Sequence, residues 1–424
     1  MRVLVISRSA WRSDNNTGNT LTDFFMDMPD MEIFSLCMRE QLPQNCIARQ
    51  HLYISEKQML KKLLGKKATI VAEHTSNQSD DGFERAMYDA AKKHPGYLLH
   101  FAREILWSLS DWNDDLLKKY IQAIRPDVLF FPTFGCYYPH KVLCYLHMLT
   151  DARIVVFHAD DHYTLNQFSL SPLFWLYRFG LRKWMRHTVS IADLQYCISQ
   201  MQKADYDKAF GCSCKVLTKF ADFSGKPLTK DRYGVPLQLV FTGNIGMNRW
   251  KSLKIIADVL KMINKDAIRA QLRIYTATPL TGKMKRALQR GESSFLMGSV
   301  PGCEVQEIQK NADMLVHVEA LDLKNRLAVR HSFSTKIVDY LKAARPILAV
   351  GPRDVASIDH LVRNDCAIVA DNKVELERKL RSILEDPSEL NRVTRNAYEC
   401  GRKYHNKRDV QSMLLQDLKT VCGK

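Results

Sequence analysis

Residues 332–351 read SFSTKIVDYLKAARPILAVG, and this stretch decides the fold class. Ser334 or Thr335 can cap a helix that begins near Lys336, and the helical pattern continues over 335–343. Pro346 ends that helix and starts a short apolar run, 346–350, which predicts a buried strand. A helix followed at once by a buried strand is the repeating unit of parallel α/β sheets.

The same alternation extends to both sides of this stretch. In the C-terminal half we predict strands at 237–242, 272–276, 314–318, 346–350 and 367–369, with helices at 252–263, 305–311 and 335–343. In the N-terminal half the clearest predicted strands are 3–7, 128–132, 154–158 and 194–199. Residues 41–112 are polar, and we interpret them as a helical, variable insertion.

The two halves are joined by a segment without periodicity that contains Gly225, Pro227, Gly234 and Pro236. We therefore predict two parallel-sheet α/β domains with a ligand cleft between them. The predicted boundaries are an N-terminal domain at 1–218, a linker at 219–236, a C-terminal domain at 237–400, and a C-terminal helix at 401–424 that crosses back to the N-terminal domain.

The composition favours a cytoplasmic protein with acidic partners. The chain has 424 residues, and its net charge is +16 from 62 basic and 46 acidic side chains. Its eleven cysteines are scattered, as is typical of free thiols in a reducing compartment. No apolar run approaches the roughly 18 residues that a membrane span needs. The apolar run near the start, 3–6, is too short for a signal peptide, and Arg8 and Arg12 follow it closely.

Basic side chains occur in local clusters. The sequence has no zinc-finger spacing of cysteines and histidines, no aromatic RNA-binding signature and no basic leucine zipper. Nucleic acid is therefore not an expected partner. Residues 172–186 mix aromatic and basic side chains at helical spacing. Two interpretations remain open: a helix that rests on the inner face of an anionic membrane, or one that packs under the cleft with its cations in water.

The start of the predicted helix at Lys336 suits a diphosphate. A helix N-terminus offers free backbone N–H groups and the positive end of a dipole, and Lys336 adds a charge beside them. Asp339 lies one turn further, where its carboxylate could accept hydrogen bonds from ribose hydroxyls. The alternative is an ordinary helix start with a solvated charge pair.

This segment resembles the retaining GT-B glycosyltransferases, whose C-terminal domains carry an S-x-S/T-K-I-x-E/D-Y-L-x-x-x-R/K-P-I-L-A pattern. Four more segments resemble that family in the same order: YCISQ from Tyr196, FTGNIGMNRWKSL from Phe241, FLMGSVPGCEV from Phe295 and ADMLVHVE from Ala312. The resemblance implies two Rossmann-like domains that face each other across a cleft. It covers nearly the whole chain and is weakest over 41–112.

The resemblance also implies a donor site for a nucleotide sugar. Many relatives carry two glutamates with seven residues between them, whereas here Asp339 takes the second position and His331 the first. Glu319 therefore becomes the candidate for the sugar side. The implied donor-binding residues are Gly243, Asn244, Arg249, Lys251, Arg330, Ser334, Thr335, Lys336 and Asp339.

In the N-terminal half, FHADDH at 157–162 follows a predicted strand, and catalytic side chains gather at such strand ends. His158 and Asp161 are our catalytic candidates together with Glu319, because an imidazole or carboxylate could take the proton of an acceptor hydroxyl. The alternative is a hydrogen-bonded turn network. The expected acceptor side comprises Asn16, Gly18, Asp160 and His162.

Together these features predict a glycosyltransferase that moves a sugar from a nucleotide diphosphate to a glycan or lipid-linked acceptor, with retention and without a metal, in surface polysaccharide or glycolipid synthesis. The resemblance favours UDP- over GDP-sugars, and no cofactor is expected. Asp205-Tyr-Asp207 matches a D-x-D metal motif, but we interpret it as a helix surface. Two alternatives share the expected fold: a nucleotide-sugar 2-epimerase and a non-catalytic nucleotide-sugar-binding protein.

Overall fold

The computed structural model describes residues 1–11, 16–28, 30–41, 43–44, 47–73, 96–225, 227, 230 and 232–423, without the side chains of residues 16 and 17. The chain divides into two compact units. The first unit comprises Met1–Leu165, Ser169–Leu217 and Gln411–Lys424, and the second comprises Asn166–Phe168 and Thr218–Val410. The predicted linker, 219–236, is part of the second unit.

The first unit is built on one sheet. Its described strands are β1 Arg2–Ser7, β2 Glu32–Cys37, β3 Gln50–Ile54, β4 Val71–Glu73, β5 Val128–Pro132, β6 Arg153–His158, β7 Leu194–Cys197 and β8 Lys215–Val216. They lie in the order β4-β3-β2-β1-β5-β6-β7-β8. Neighbouring strands are parallel, except that β4 runs antiparallel to β3.

Helices flank this sheet and cover its apolar strands. Those described are α1 Asn16–Phe25, α2 Glu56–Leu63, α3 Tyr97–Leu109, α4 Asp115–Ile124, α5 Tyr138–Thr150, α6 Pro172–Ser190 and α7 Gln200–Phe210. Their inward side chains, such as Leu117, Ile121 and Leu146, pack with strand residues such as Leu129 and Val156 in one core. Burial on both faces explains why these strands are continuous apolar runs.

The prediction for residues 41–112 is wrong in part. Within it, β3 and β4 extend the first sheet, and β3 pairs with β2, a strand that was not predicted from the sequence. The polar residues Gln50 and His51 hid the short apolar pattern of β3, although His51 is buried in the sheet. Residues 74–95 of the predicted insertion lie outside the described part of the chain.

The second unit has six described strands, all parallel to their neighbours: β9 Leu237–Thr242, β10 Ala270–Tyr275, β11 Ser294–Gly298, β12 Met314–Val318, β13 Ile347–Val350 and β14 Ile368–Ala370. The helices are α8 Arg249–Ile263, α9 Gly282–Leu288, α10 Gly302–Asn311, α11 Leu323–Val329, α12 Lys336–Ala343, α13 Ala356–Arg363, α14 Lys373–Glu385, α15 Ser388–Tyr404 and α16 Lys407–Val421, which ends in the first unit.

The strand order of the second sheet, β11-β10-β9-β12-β13-β14, contains a switch point. From β9 the chain adds β10 and β11 on one side, and it then returns to add β12, β13 and β14 on the other. The loops after β9 and β12 therefore leave the sheet in opposite directions and open a crevice at the carboxyl ends of these strands. Open parallel sheets bind ligands in such a crevice.

Helix length gives one further observation. Among the described residues, no helix is both long enough and apolar enough to cross a bilayer.

Candidate active site

The ammonium group of Lys336 lies at the carboxyl end of β9, in the switch-point crevice of the second sheet. Its Nζ donates to the carbonyl oxygen of Thr242 at 3.2 Å and lies 4.7 Å from the ring centre of Phe241. Gly243 follows with φ at +133°, and a Cβ built there would lie 2.5 Å from Nζ. The glycine therefore makes the space in which the lysine reaches the strand end.

Helix α12 begins at Lys336, as predicted, but the predicted side-chain cap is wrong. Thr335 occupies the N-cap position with helical dihedral angles, so its side chain makes no capping hydrogen bond. Ser334 precedes the N-cap position, and its N–H donates to Ser357 Oγ at 2.9 Å. The N–H groups of Thr335 and Lys336 have no acceptor among the described residues. These two donors beside a cation are an arrangement that suits an anion.

A buried ion pair lies next to Lys336. Arg249, the first residue of α8, donates from Nε to Glu319 Oε2 at 2.9 Å and from Nη2 to Oε1 at 3.4 Å. Glu319 follows β12 and has a side chain only 3% exposed. Ser252 Oγ donates to the Glu319 carbonyl at 2.7 Å and fixes the backbone there. The carboxylate is therefore held by Arg249 at the same strand edge as Lys336.

His317 lies behind this pair. Its Nε2 is 3.6 Å from Glu319 Oε1, and neither ring nitrogen has a hydrogen-bond partner among the described residues. Burial, with the nearby charges of Lys336 and Arg249, lowers the pKa of His317 well below its ordinary value. The imidazole is therefore a neutral, packed residue.

The surroundings of Lys336 have opposing effects on its pKa. Burial and the charge of Arg249 lower the pKa of Lys336 to about 8, while Glu319 and Asp339 act in the opposite direction. The ammonium group is therefore mostly charged at neutral pH and loses its proton in mildly basic solution. A bound anion would stabilise the charged form and raise this pKa again.

Asp339 is engaged by the chain segment that leads into the second unit. Lys219 Nζ donates to both Asp339 oxygens, at 2.9 and 3.1 Å. Asp339 also lines a pocket of about 240 Å³ with Asp222, Gln309, Lys342 and Tyr398. A ribose hydroxyl would have to share this carboxylate with Lys219.

Three other predicted donor residues make different local contacts. Asn244 is exposed and accepts the N–H of Gly246 at 2.5 Å, so it shapes the loop after β9. Arg330 Nη1 is 3.3 Å from His331 Nε2, and its carbonyl accepts the N–H that starts α13. Lys251 is exposed, with its Nζ 5.9 Å from the ring of Trp250, and takes no part in the Arg249–Glu319 pair.

Gly243→Ala should perturb the position of Lys336. The new methyl group would overlap the ammonium group, and the positive φ is unfavourable for alanine, so we expect a loss of about 1–3 kcal/mol in the free energy of unfolding and weaker binding of anions. Denaturant unfolding and nucleotide titration measure the two effects.

The control for this variant is Gly291→Ala. Gly291 also has a positive φ, +54°, but a Cβ there would meet nothing within 4 Å. It should cost about 1 kcal/mol and leave anion binding unchanged. Equal anion affinity in both variants would contradict the role given to Gly243.

In the first unit, Asp161 is the centre of a hydrogen-bond network. Its Oδ1 accepts from the N–H groups of Tyr163 (2.9 Å) and Thr164 (2.8 Å) and from Tyr206 Oη (3.1 Å), and the Thr164 hydroxyl donates to Oδ2. Arg178 Nη2 lies 3.4 Å from Oδ1. This is the hydrogen-bonded turn network named above as the alternative, and it occupies the carboxylate that we predicted to be catalytic.

Three arginines of α6, Arg178, Arg182 and Arg186, contact the loop that contains Asp161. Arg178 is buried and donates to the carbonyls of Asp161 and Thr164, the latter at 2.7 Å. Arg182 lies over the Tyr163 ring at 4.1 Å, and Arg186 Nε donates to the Tyr163 hydroxyl at 2.6 Å. Neither interpretation predicted these contacts with a loop. Arg178 is buried, whereas Arg186 is exposed although it contacts Tyr163. Leu176 and Phe179 are exposed on the same helix.

His158 is fully buried at the end of β6. Its Nδ1 lies 3.4 Å from Thr133 Oγ1, and its Nε2 lies 3.4 Å from Gln195 Oε1. Burial lowers its pKa to about 4, so the ring is neutral at physiological pH. The ring packs edge-on against Tyr206 at 4.9 Å. His158 therefore lies beneath the loop and supports it.

The predicted acceptor residues lie in two places. Asp160 is exposed and His162 is half-buried, and the ring of His162 lies 3.3 Å from where a Cβ on Gly135 would be. Gly18 is a buried position within α1, and the side chain of Asn16 lies outside the described part of the chain.

Several contacts of the two sites could not be predicted from the sequence. Phe241 supports Lys336, Lys219 engages Asp339, and Arg178 supports Asp161. Phe241 begins one of the segments that resemble the family, and Arg178 lies in the aromatic and basic stretch 172–186, but neither was predicted to make its contact. Lys219 is 120 residues away from Asp339 in the chain.

Two parallel α/β units with a cation at the switch point of the second are the architecture of the GT-B class. Comparison with solved structures supports this class over the whole chain. Anabaena HepE in complex with UDP and glucose is similar, with a TM-score of 0.64, 12% identity and coverage of 99% of this chain and 100% of that one. Sucrose-phosphate synthase from Thermosynechococcus elongatus has a TM-score of 0.65, 9% identity and coverage of 99% and 98%.

A third similar structure is S. aureus MnaA with UDP, at a TM-score of 0.51, 10% identity and coverage of 99% and 96%. No protein-family model matches the sequence. No curated protein matches it either. At these identities the likeness shows the GT-B fold alone.

Proposed function

We propose that the protein is a glycosyltransferase that takes a sugar from a nucleotide diphosphate, UDP in preference to GDP, bound in the second unit. The observation that carries this proposal is the position of Lys336 at the switch point, with Gly243 making room for it and with the N–H groups of Thr335 and Lys336 lacking an acceptor in the described part of the chain. The diphosphate would displace the Thr242 carbonyl as the partner of the ammonium group. HepE, a structural neighbour, is known with UDP-glucose, which supports this choice of donor.

Charge development explains why these residues suit the reaction. As the bond between the sugar and the β-phosphate breaks, negative charge grows on the phosphate oxygens. Lys336 and the N–H groups at the start of α12 would face this charge, and such preorganised groups lower a barrier by several kcal/mol. We propose that they serve in place of a metal ion.

Glu319 and the acceptor loop complete the proposal. Glu319, held by Arg249, would hydrogen-bond sugar hydroxyls, and Arg249 would shift toward the phosphate when donor binds. Asp161 and His158 would position the loop that carries Asp160 and His162 on the acceptor side. Retention of configuration and an acceptor from a surface polysaccharide or glycolipid pathway remain part of the proposal, as does contact with an anionic membrane.

A nucleotide panel tests the proposal. UDP and a UDP-sugar should raise the melting temperature, since a ligand that binds only the folded state stabilises it. NMR of the reaction mixture should then show UDP released only when an acceptor is present. A changed sugar without acceptor would identify an epimerase, and a thermal shift without turnover would identify a binding protein. The absence of a shift with every nucleotide would refute the donor site.

The titration of Lys336 predicts how UDP affinity depends on pH. The ammonium group is charged below its pKa of about 8 and loses its charge above it. The dissociation constant for UDP should therefore be flat below pH 7 and rise by about tenfold per pH unit above pH 8, until the higher pKa of the complex is reached. Calorimetric titration between pH 6.5 and 9.5 measures this profile.

Lys336→Arg is the matched control for the pH profile. Its guanidinium group keeps its charge over the whole range, so UDP binding, although weaker, should be flat. A fall of the same steepness in both proteins would assign the titration to another group.

A further inference from the structure

Two buried donors in the first unit lack partners. Arg8 directly follows β1, and Tyr138 is the first residue of α5. Among the described residues, Arg8 Nε and Tyr138 Oη are both buried without a hydrogen-bond partner. Tyr138 is 0% exposed. Folded proteins seldom leave such groups unsatisfied, and those that do often use them to bind an ion or a ligand.

The surroundings of these donors carry an excess of positive charge. Arg103 on α3 pairs with Glu56 at 2.5 Å, and Trp107 Nε1 donates to the same carboxylate oxygen at 2.6 Å. Arg103 also lies over the Tyr138 ring at 5.2 Å. Arg8 is close enough to feel the charges of both Arg103 and Glu56. Two guanidinium groups thus share one carboxylate, and that carboxylate is already bonded to Arg103.

A second carboxylate nearby does not remove this excess. Glu104 accepts from the N–H groups of Tyr137 and Tyr138 at 2.6 and 3.1 Å and from the Tyr177 hydroxyl at 2.8 Å. It is therefore occupied at the start of α5. Burial raises its pKa, and these hydrogen bonds act in the opposite direction.

The position of the donors is that of a ligand site. The first sheet also has a switch point, since β1 is followed on one side by β2 and β3 and on the other by β5, β6 and β7. Arg8 follows the carboxyl end of β1, and Tyr138 lies a few residues beyond the carboxyl end of its neighbour β5. The two donors therefore meet at the edge where parallel sheets bind ligands.

We propose that Arg8, Arg103 and Tyr138 form an oxyanion subsite at the switch point of the first sheet, and that it takes a phosphate or carboxylate group of the acceptor. That the anion belongs to an acceptor rests on the proposed function, whereas the anion site itself does not. A guanidinium group matches the oxygens of either anion with two parallel hydrogen bonds, and the tyrosine hydroxyl supplies a third. Glu56 offsets the charge of one arginine, and a neutral sugar cannot offset the other.

His100 is a natural reporter for this subsite. It is exposed on α3, and its pKa is lowered by partial burial of its ring and by the charges of Arg8 and Arg103. An anion bound between the arginines would offset those charges and raise the pKa of His100. Histidine proton NMR detects this change even when binding is weak, and a His100→Gln sample assigns the resonance.

The experiment titrates inorganic phosphate, glucuronate and glucose into protein that carries Lys336→Ala, which disables the proposed donor site. Phosphate or glucuronate should shift the His100 resonance saturably and raise its pKa, and the stronger of the two identifies the acceptor group. Glucose, and chloride at the same ionic strength, should do neither. A response to chloride equal to that of both oxyanions would overturn the subsite.

Three variants locate the effect. Arg8→Gln should weaken the oxyanion affinity at least tenfold, and Tyr138→Phe, which keeps the ring stacked on Trp107 at 4.3 Å, should weaken it several-fold. Arg153→Gln removes an exposed arginine of the same unit and should change nothing. Unchanged affinity in both Arg8→Gln and Tyr138→Phe would overturn the proposal. A failure of UDP to stabilise the wild type would refute the donor site and leave this result untouched.

Discussion

Lys336→Ala should weaken UDP binding by about 30- to 100-fold, the usual worth of one hydrogen bond to a charged group. The ammonium group has Phe241 beneath it and the Thr242 carbonyl beside it, so it is held in place before any ligand arrives. Turnover should fall further than affinity, because the charge on the leaving phosphate is greatest in the transition state. Calorimetric titration and initial rates measure the two losses.

Stability distinguishes this loss from a folding defect. Alanine removes a buried charge that lacks a carboxylate in direct contact among the described residues, so the melting temperature without ligand should stay equal or rise. Lys265→Ala removes an exposed lysine of the same unit and should leave binding intact. Normal UDP affinity in Lys336→Ala would show that the anion site lies elsewhere.

Asp161→Ala should lower the free energy of unfolding of the first unit by about 3 kcal/mol, as expected when one partner of a buried charge pair is removed. Arg178, 7% exposed, would keep its bonds to backbone carbonyls but lose its only carboxylate contact among the described residues. The loss corresponds to about 6–12 °C in melting temperature. Differential scanning calorimetry measures it.

The neighbouring carboxylate provides the comparison. Asp160 is exposed, so Asp160→Ala should change stability by no more than about 0.5 kcal/mol. If Asp160 acts on the acceptor side, activity will fall in this variant without a fall in melting temperature. Equal thermal stability of the two variants would contradict the structural role assigned to Asp161.

The strand positions could be predicted because they depend on local pattern. Strands β5, β9 and β12 were predicted with the bounds that the structure shows, since each is a mostly apolar run bounded by polar or turn residues. Five of the described strands were missed: β2, β3, β4, β8 and β11. β2 contains Ser35 in its middle, β3 begins with the polar residues Gln50 and His51, and β11 ends in a glycine.

The chemistry of the sites could be predicted only in part. Lys336 was recognised at a helix start, and the structure places it there. Its ammonium group lies at the carboxyl end of β9. The partners of Asp161 and Asp339 could not be predicted, because Arg178 and Lys219 are 17 and 120 residues away in the chain. A local pattern identifies a carboxylate but cannot show what has already bound it.

The three candidate catalytic residues are more buried than their motifs indicated. His158, Asp161 and Glu319 are 0%, 9% and 3% exposed, and each has internal hydrogen bonds. Histidine and aspartate at a strand end are typical of catalysis, but the same residues also satisfy buried polar groups in a loop. The sequence does not distinguish these uses, because both require polar atoms at the same place.

The first unit also includes Gln411–Lys424, the last segment of this chain. Within it Asp417 accepts from the Tyr196 hydroxyl at 2.7 Å and pairs with Lys215, while Leu414 and Leu418 are fully buried. During translation most of this unit is therefore synthesised first, but its last segment follows only after nearly 200 further residues, 218–410. Until that segment is made, the part of the interior that Leu414 and Leu418 fill stays uncovered, and such exposed apolar surface is what chaperones bind.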